Sequence, residues 1–447
     1  MVAKADGAAG ELLRILGIGF GLAVVVGGIV GQGIMRTPGI IAGAMPNGAW
    51  ILGAWTLGGL IVLADACATV ELGTSVPRAG GPYVFAERAF GPAAGTMMGW
   101  ADWLNYILAI SFVSVVFAEY AQRLGVATEL PLGMIAVLLI AAVGLINWSG
   151  TRASGVSQVL GSAVKGLGLI TLVALLWIAP HHAAAAAPSG PAASPVFGIA
   201  AFAIAMRGVA ITYGGWNGCV YFCEEVHKPE RNIVRATFGG ILLVMLLYLA
   251  VNASLLHVLS REQIAVSKLP VADAAAAVLG PASGIAITLL AIFSVIAICN
   301  LQVMTATRIG FAMARNRVLP AMLTRVSASG TPRIALLCTT MGAALLASTG
   351  GYERLIAIGA PFLIVVPATV DLAAIWMRRR EPDLERPFRM PLFPIPAVIG
   401  FTINALLAAA IFYEDPLDSS IGVGLVLLIG VATKVRGMMV VRRAAAV

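Results

Sequence analysis

Two glycine clusters hold the residues best placed to do chemistry. GGIVGQGIMRTPG, residues 27–39, sets Gly27, Gly28, Gly31 and Gly33 around Gln32, with Pro38 beyond. ITYGGWNG, residues 211–218, sets Gly214, Gly215 and Gly218 beside Tyr213, Trp216 and Asn217. Both fall inside apolar stretches of helix length, so each is expected to break a helix and leave backbone N–H and C=O groups unpaired. A half-helix N-terminus carries about half a positive charge and free donors, which suits a carboxylate held against Gly31, Gln32 and Gly33. Ionisable side chains inside apolar stretches are costly and count as candidates too. Lys165, in SAVKGLGLI, is one, and its alternative is to reach the membrane surface along its own stem. Arg36 and Arg207 would attract an anion or pair with Glu119 or lipid phosphate. Asp102, in WADWLNY, would favour a cation or pair with a lysine. Asp65 and Asp371 are expected to find partners on neighbouring helices, and Glu224 and Glu225 to pair with nearby basic loops. Asn300 and Gln302 would line a path or hydrogen-bond within the core.

Other chemistries are excluded. GIVGQG has the glycines of a nucleotide loop, yet no strand precedes it. The four histidines, His181, His182, His227 and His257, form no HExxH pattern. The five cysteines, Cys67, Cys219, Cys223, Cys299 and Cys338, lie in apolar sequence and offer neither a secreted disulfide framework nor a paired zinc site. No metal or other cofactor is expected. A channel would call for rings of like charge or a repeated filter, and neither is present.

The elements that must position these residues are membrane helices. The chain has 447 residues, 60% hydrophobic and only 11% charged, against roughly 25% charged in a soluble domain. Its mean hydropathy is +0.94. Twelve spans are expected, at about 15–41, 48–72, 93–120, 131–148, 155–179, 196–224, 233–257, 281–309, 334–349, 353–377, 395–413 and 420–440. With both termini cytoplasmic, and residues near a span end counted with the side they adjoin, 22 of the 29 Lys and Arg residues fall on the inner side and 4 on the outer; Arg36, Lys165 and Arg207 lie deeper within spans. The net charge of +8 therefore reports topology and not nucleic-acid binding. Three connections have a character of their own. Residues 77–90 should form a short amphipathic helix at the cytoplasmic face, residues 261–279 a short external surface helix, and residues 181–195 a flexible Ala/Pro/Ser tether. Breaks in spans one and six are the signature of two inverted five-span repeats with a site at the bilayer midplane. The whole chain is expected to be one transmembrane domain: a first repeat at about 15–179, a second at about 196–377, and two extra helices at about 395–440.

The sequence resembles the amino acid, polyamine and organocation transporter superfamily, and within it the bacterial relatives of the L-type amino acid transporters. The resemblance rests on GQGIMRTPG, PRAGGPYVFAERAFGP with GWADWL, YGGWNGCVYFCEEVHKPERNIVRA, TRIGFAMARNRVLPAML and REPDLERPFRMPLFP. It implies a LeuT-type 5+5 inverted repeat, all-α, with helices one and six broken. It also implies sodium-independent amino acid transport by alternating access, with a polyamine or other organic amine as the alternative cargo. The family's GSG carboxylate motif maps onto Gly31, Gln32 and Gly33, with Gln32 replacing the usual serine. Carbonyls of Ile211, Thr212 and Gly214 would receive the substrate ammonium; the family often has a large aromatic gate where Ile211 stands. Tyr213, Trp216, Asn217 and Asp102 would line the pocket. Lys165 would occupy the place that a sodium ion takes in coupled relatives. Heteromeric relatives are tethered to a single-span glycoprotein through an external cysteine, which the expected outer loops here lack, so no disulfide-linked heavy chain is expected. Localisation in the cytoplasmic (inner) membrane follows.

Overall fold

The computed structural model describes residues 11–31, 33–178, 198–280, 282–349 and 357–444. Gln32, the 181–195 tether and the start of the expected tenth span lie outside the described residues. Helices account for nearly all regular structure, because sequence this apolar can satisfy its backbone in lipid only internally. The first apolar span is two helices, α1 (Ile18–Ile29) and α2 (Gly33–Ala44), bent by 47° at Val30–Gly31. There follow α3 (Gly48–Ser75), α4 (Pro82–Phe90), α5 (Pro92–Arg123), α6 (Leu132–Ser149), α7 (Thr151–Ile178) and α8 (Ile199–Thr212). A turn at Gly214–Gly215 then leads into a 3-10 segment, Trp216–Phe222. The second half runs α9 (Pro229–Val258), α10 (Arg261–Val266), α11 (Pro270–Leu279), α12 (Ser283–Arg315), α13 (Arg333–Ser348), α14 (Phe362–Arg380), α15 (Ile395–Glu414) and α16 (Pro416–Ala444).

Among the described residues, nine helices are long and apolar enough to cross a membrane, and the bent α1–α2 pair makes a tenth. The stretches expected as spans nine and twelve appear as the 16-residue α13 and within α16. α1 packs on α7, α9 and α12, while α2 packs on α8 and α10. The first broken element therefore packs among other helices on both sides of its bend, whereas α8 buries only Ala205, Val209 and Thr212 and the 3-10 segment after it is mostly buried.

Two connections differ from expectation. The segment expected to lie amphipathically at the surface is mostly interior: α4 buries Pro82, Tyr83, Val84, Phe85, Ala86 and Ala89, leaving only Glu87, Arg88 and Phe90 outside the core. Gly80 and Gly81, at φ +110° and +52°, make the turn that sends it inward. The expected single helix over 261–279 is two, because Pro270 starts a new helix. Ser260 and Gln263 form a capping box on the first. Arg261 then donates to the carbonyls of Ala42 (3.1 Å) and Met45, fastening α10 to the end of α2.

Candidate functional site

The break in the first span frees the last carbonyls of α1, and the surrounding helices satisfy them one by one. Lys165 of α7 donates from Nζ to Gly27 O at 2.5 Å and to Val30 O at 2.8 Å. Ser294 of α12 also donates to Val30 O, at 3.2 Å, and the Tyr248 hydroxyl of α9 donates to Ile29 O at 2.9 Å. Lys165 is 1% exposed, which settles its geometry in favour of the interior: the ammonium caps the negative end of the α1 dipole. A lysine is suited to this because the three donors of its tetrahedral ammonium point in different directions and so reach carbonyls that share no plane.

Lys165 also ends a polar stripe. Ser154, Gln158, Ser162 and Lys165 recur at helical spacing on one face of α7 and are all buried. Ser162 donates to Ala23 O (2.7 Å), and Gln158 to Ser162 (3.3 Å). Asn300 donates to Gln158 (3.1 Å) and accepts from Asn147 (2.9 Å). Asn300 is therefore part of a core network. Sequence reasoning missed Gln158, Ser162, Asn147, Tyr248 and Ser294; the stripe's period of three to four in apolar sequence was the available signal for the α7 members.

The second break faces the first. Gly28 and Gly215 meet backbone to backbone: a Cβ on Gly28 would stand 2.2 Å from Gly215 O, and one on Gly215 would stand 2.5 Å from Gly28 O. Gly215 also has φ +95°, so glycine is required there twice over. Gly33 lies against Thr212, where a Cβ would come within 2.8 Å of Cγ2, whereas a Cβ on Gly31 would meet only the tip of Ile298 at 3.0 Å. The hydroxyls of Thr37 and Thr212 are 2.7 Å apart and buried, linking α2 to α8.

The three carbonyls expected to hold an ammonium differ in availability. Ile211 O accepts from Gly214 N–H (3.1 Å) and Thr212 O from Tyr248 (3.4 Å), while the Ile211 side chain is 68% exposed on the bundle's flank. Tyr213 is fully buried, donates to Trp55 O at 3.2 Å and packs edge-on against Trp55. Trp216 is buried and Asn217 partly so. Asp102 is buried with the Tyr221 hydroxyl, which donates to it at 2.9 Å; its partner is a tyrosine and not a lysine. Arg36 is exposed and Arg207 half-buried.

One end of the site is closed by ions and backbone. Glu225 is fully buried and takes a two-pronged pair of bonds from Arg308, both 2.8 Å. Leu16 N–H donates to Glu225 O, and His227 N–H to Leu16 O, so the start of α1 is stitched to the chain leaving the 3-10 segment. Glu224 pairs with Arg315 at 2.8 Å, and Arg14 donates to Glu224 O. The acidic pair does find basic partners, as expected, though Arg308 comes from within α12 and not from a loop.

Fold and site together define a multi-pass helical membrane protein organised around two interrupted helices, with backbone groups exposed to each other at the interruptions. The chain belongs to the amino acid permease family, whose match covers residues 21–433. It is 27% identical over 430 residues to the serine/threonine exchanger SteT of Bacillus subtilis (strain 168), covering 94% of this chain and 95% of that protein. It is also 27% identical over 444 residues to the large neutral amino acids transporter small subunit 2 of Homo sapiens, covering 95% and 81%. The Asc-type amino acid transporter 1 of Mus musculus is 26% identical over 431 residues, covering 94% and 80%.

Proposed function

We propose that this protein moves amino acids across the cytoplasmic membrane by alternating access, without sodium, as an exchanger or with proton coupling, and that it is not an enzyme. The observation that carries this reading is Lys165: a buried ammonium bonded to Gly27 O and Val30 O at the break does the electrostatic work of a bound cation. The substrate carboxylate is assigned to the N–H groups at Gly31, Gln32 and Gly33, next to the first turn of α2. Its ammonium is assigned to the carbonyls of Ile211, Thr212 and Gly214. Tyr213, Trp216, Asn217 and Asp102 are the further side chains of this reading. Ile211 O and Thr212 O each accept one bond already, so the substrate ammonium would use the second lone pair of each carbonyl.

The same reading takes the chain as twelve spans, with repeats at about 15–179 and 196–377, two added helices and both termini in the cytoplasm. It acts without a disulfide-linked heavy chain. A thermal-shift screen of the purified protein against the twenty amino acids and common polyamines tests the cargo, since a ligand bound only to the folded state raises Tm. Stabilisation by amino acids bearing both a free carboxylate and a free amine supports the proposal. Stabilisation by polyamines alone would replace it.

A further inference from the structure

Away from both breaks, Asp65 of α3 and Asp371 of α14 face each other inside the bundle. Their carboxyl groups converge on the same face of α15, beside Gly400 and a turn from Asn404. Asp371 is 1% exposed, and neither of its oxygens has a hydrogen-bond partner among the described residues. Asn404 is 8% exposed. Gly400, one turn before Asn404, leaves the space in which they sit: a Cβ there would stand 2.6 Å from Asp65 Oδ1 and 2.8 Å from Asp371 Oδ2. Two carboxylates cannot both ionise at this separation in an apolar interior unless a positive charge joins them.

Among the described residues no basic side chain supplies that charge. On α3 the neighbouring titratable groups are Cys67 and Glu71. Glu71 is occupied by Arg378 (2.5 Å) and Arg386 (3.3 Å), whose charges are thereby taken. α15 has no Asp, Glu, Lys, Arg or His between 395 and 413. On α4, Arg88 is held by Glu381 at 2.6 Å.

The geometry points to a proton-binding site: Asp65 and Asp371 share a proton that joins α3 to α14 and α15, with Asn404 positioned to hydrogen-bond whichever oxygen lacks it. This assignment stands independently of the substrate reading. A shared proton satisfies one Asp371 oxygen and removes one of the two negative charges, as in other carboxyl pairs that cannot both ionise. The folded protein then binds more protons than the unfolded chain at neutral pH, so its stability falls as pH rises and the site is emptied.

Infrared spectroscopy of the purified full-length protein near neutral pH, in H2O and D2O, tests this. Wild type is expected to show a deuterium-sensitive carboxylic-acid C=O band that disappears or shifts in both Asp371→Asn and Asp65→Asn. A parallel series of Tm against pH should fall toward alkaline pH in wild type, with the slope reduced by half or more in either variant. A band and slope unchanged in both variants would overturn the assignment. So would a rise in wild-type Tm with Na+, K+ or Li+ that Asp371→Asn abolishes, because a metal cation would then hold the place of the proton.

Discussion

At the residue scale, the first-span glycines are not equivalent. A Cβ on Gly31 meets only the flexible end of Ile298, so Gly31→Ala should fold with Tm unchanged and still lose amino acid binding, if Gly31 N–H lies against the carboxylate. Gly33→Ala collides with Thr212 at 2.8 Å, so it should lose both stability and binding, and Thr212→Ala should restore part of the stability. Isothermal titration beside thermal unfolding separates the two effects; wild-type affinity in Gly31→Ala would remove it from the site. Lys165→Met leaves Gly27 O without a side-chain donor and Val30 O with Ser294 alone. Losing a buried donor costs about 1–3 kcal/mol per group, enough to slow transport about tenfold or more in a flux assay if the break must keep its shape.

At the element scale, buried charge pairs fasten the helix ends. Arg308 and Glu225 are both at most 1% exposed, so Arg308→Met should destabilise by about 3–5 kcal/mol, because it strands a buried carboxylate. Combining it with Glu225→Leu should recover most of that loss, which a comparison of thermal unfolding for single and double variants reads directly. The exposed Arg88–Glu381 pair is a contrast. Hydrogen bonding from Arg88 holds the Glu381 carboxyl below its usual range, so its contribution is complete above the ordinary carboxylate range and is lost as pH falls through the lowered value. With both side chains about a third exposed, it is worth under about 1 kcal/mol.

The same scale shows what the sequence made legible. Glycine clusters mark both places where the regular helix ends, after Ile29 and after Thr212, because clustered glycine weakens a helix that apolar side chains would otherwise continue. The side chains that answer them were legible only in part. Lys165 stood out as a charge in apolar sequence, whereas Tyr248 and Ser294 are unremarkable residues of α9 and α12 whose role depends on which carbonyl they reach. Asp65 and Asp371 read in sequence as groups that need partners, but their nearness to each other depends on α3 meeting α14 and α15. The interior course of α4 was hidden because its short amphipathic pattern fits a membrane surface as well as a cleft between helices.

At the scale of the whole molecule, the two interrupted helices are held at both flanks. The Thr37–Thr212 bond and the Arg261 contacts close one side; Arg308, Glu225 and the Leu16 bridge close the other. If transport alternates access between the two sides, contacts on one side open while those on the other hold, and loss of a contact that opens should change transport as well as stability. In the proposed function, the Lys165 ammonium takes the place of a coupling sodium ion. This is tested most directly by initial-rate uptake of labelled amino acid into proteoliposomes, in sodium and in choline, for wild type and Lys165→Ala. Equal wild-type rates in the two salts, with uptake abolished in Lys165→Ala protein that is still folded, are the predicted result. Uptake that collapses in choline, or that survives in Lys165→Ala at the wild-type rate, would contradict it.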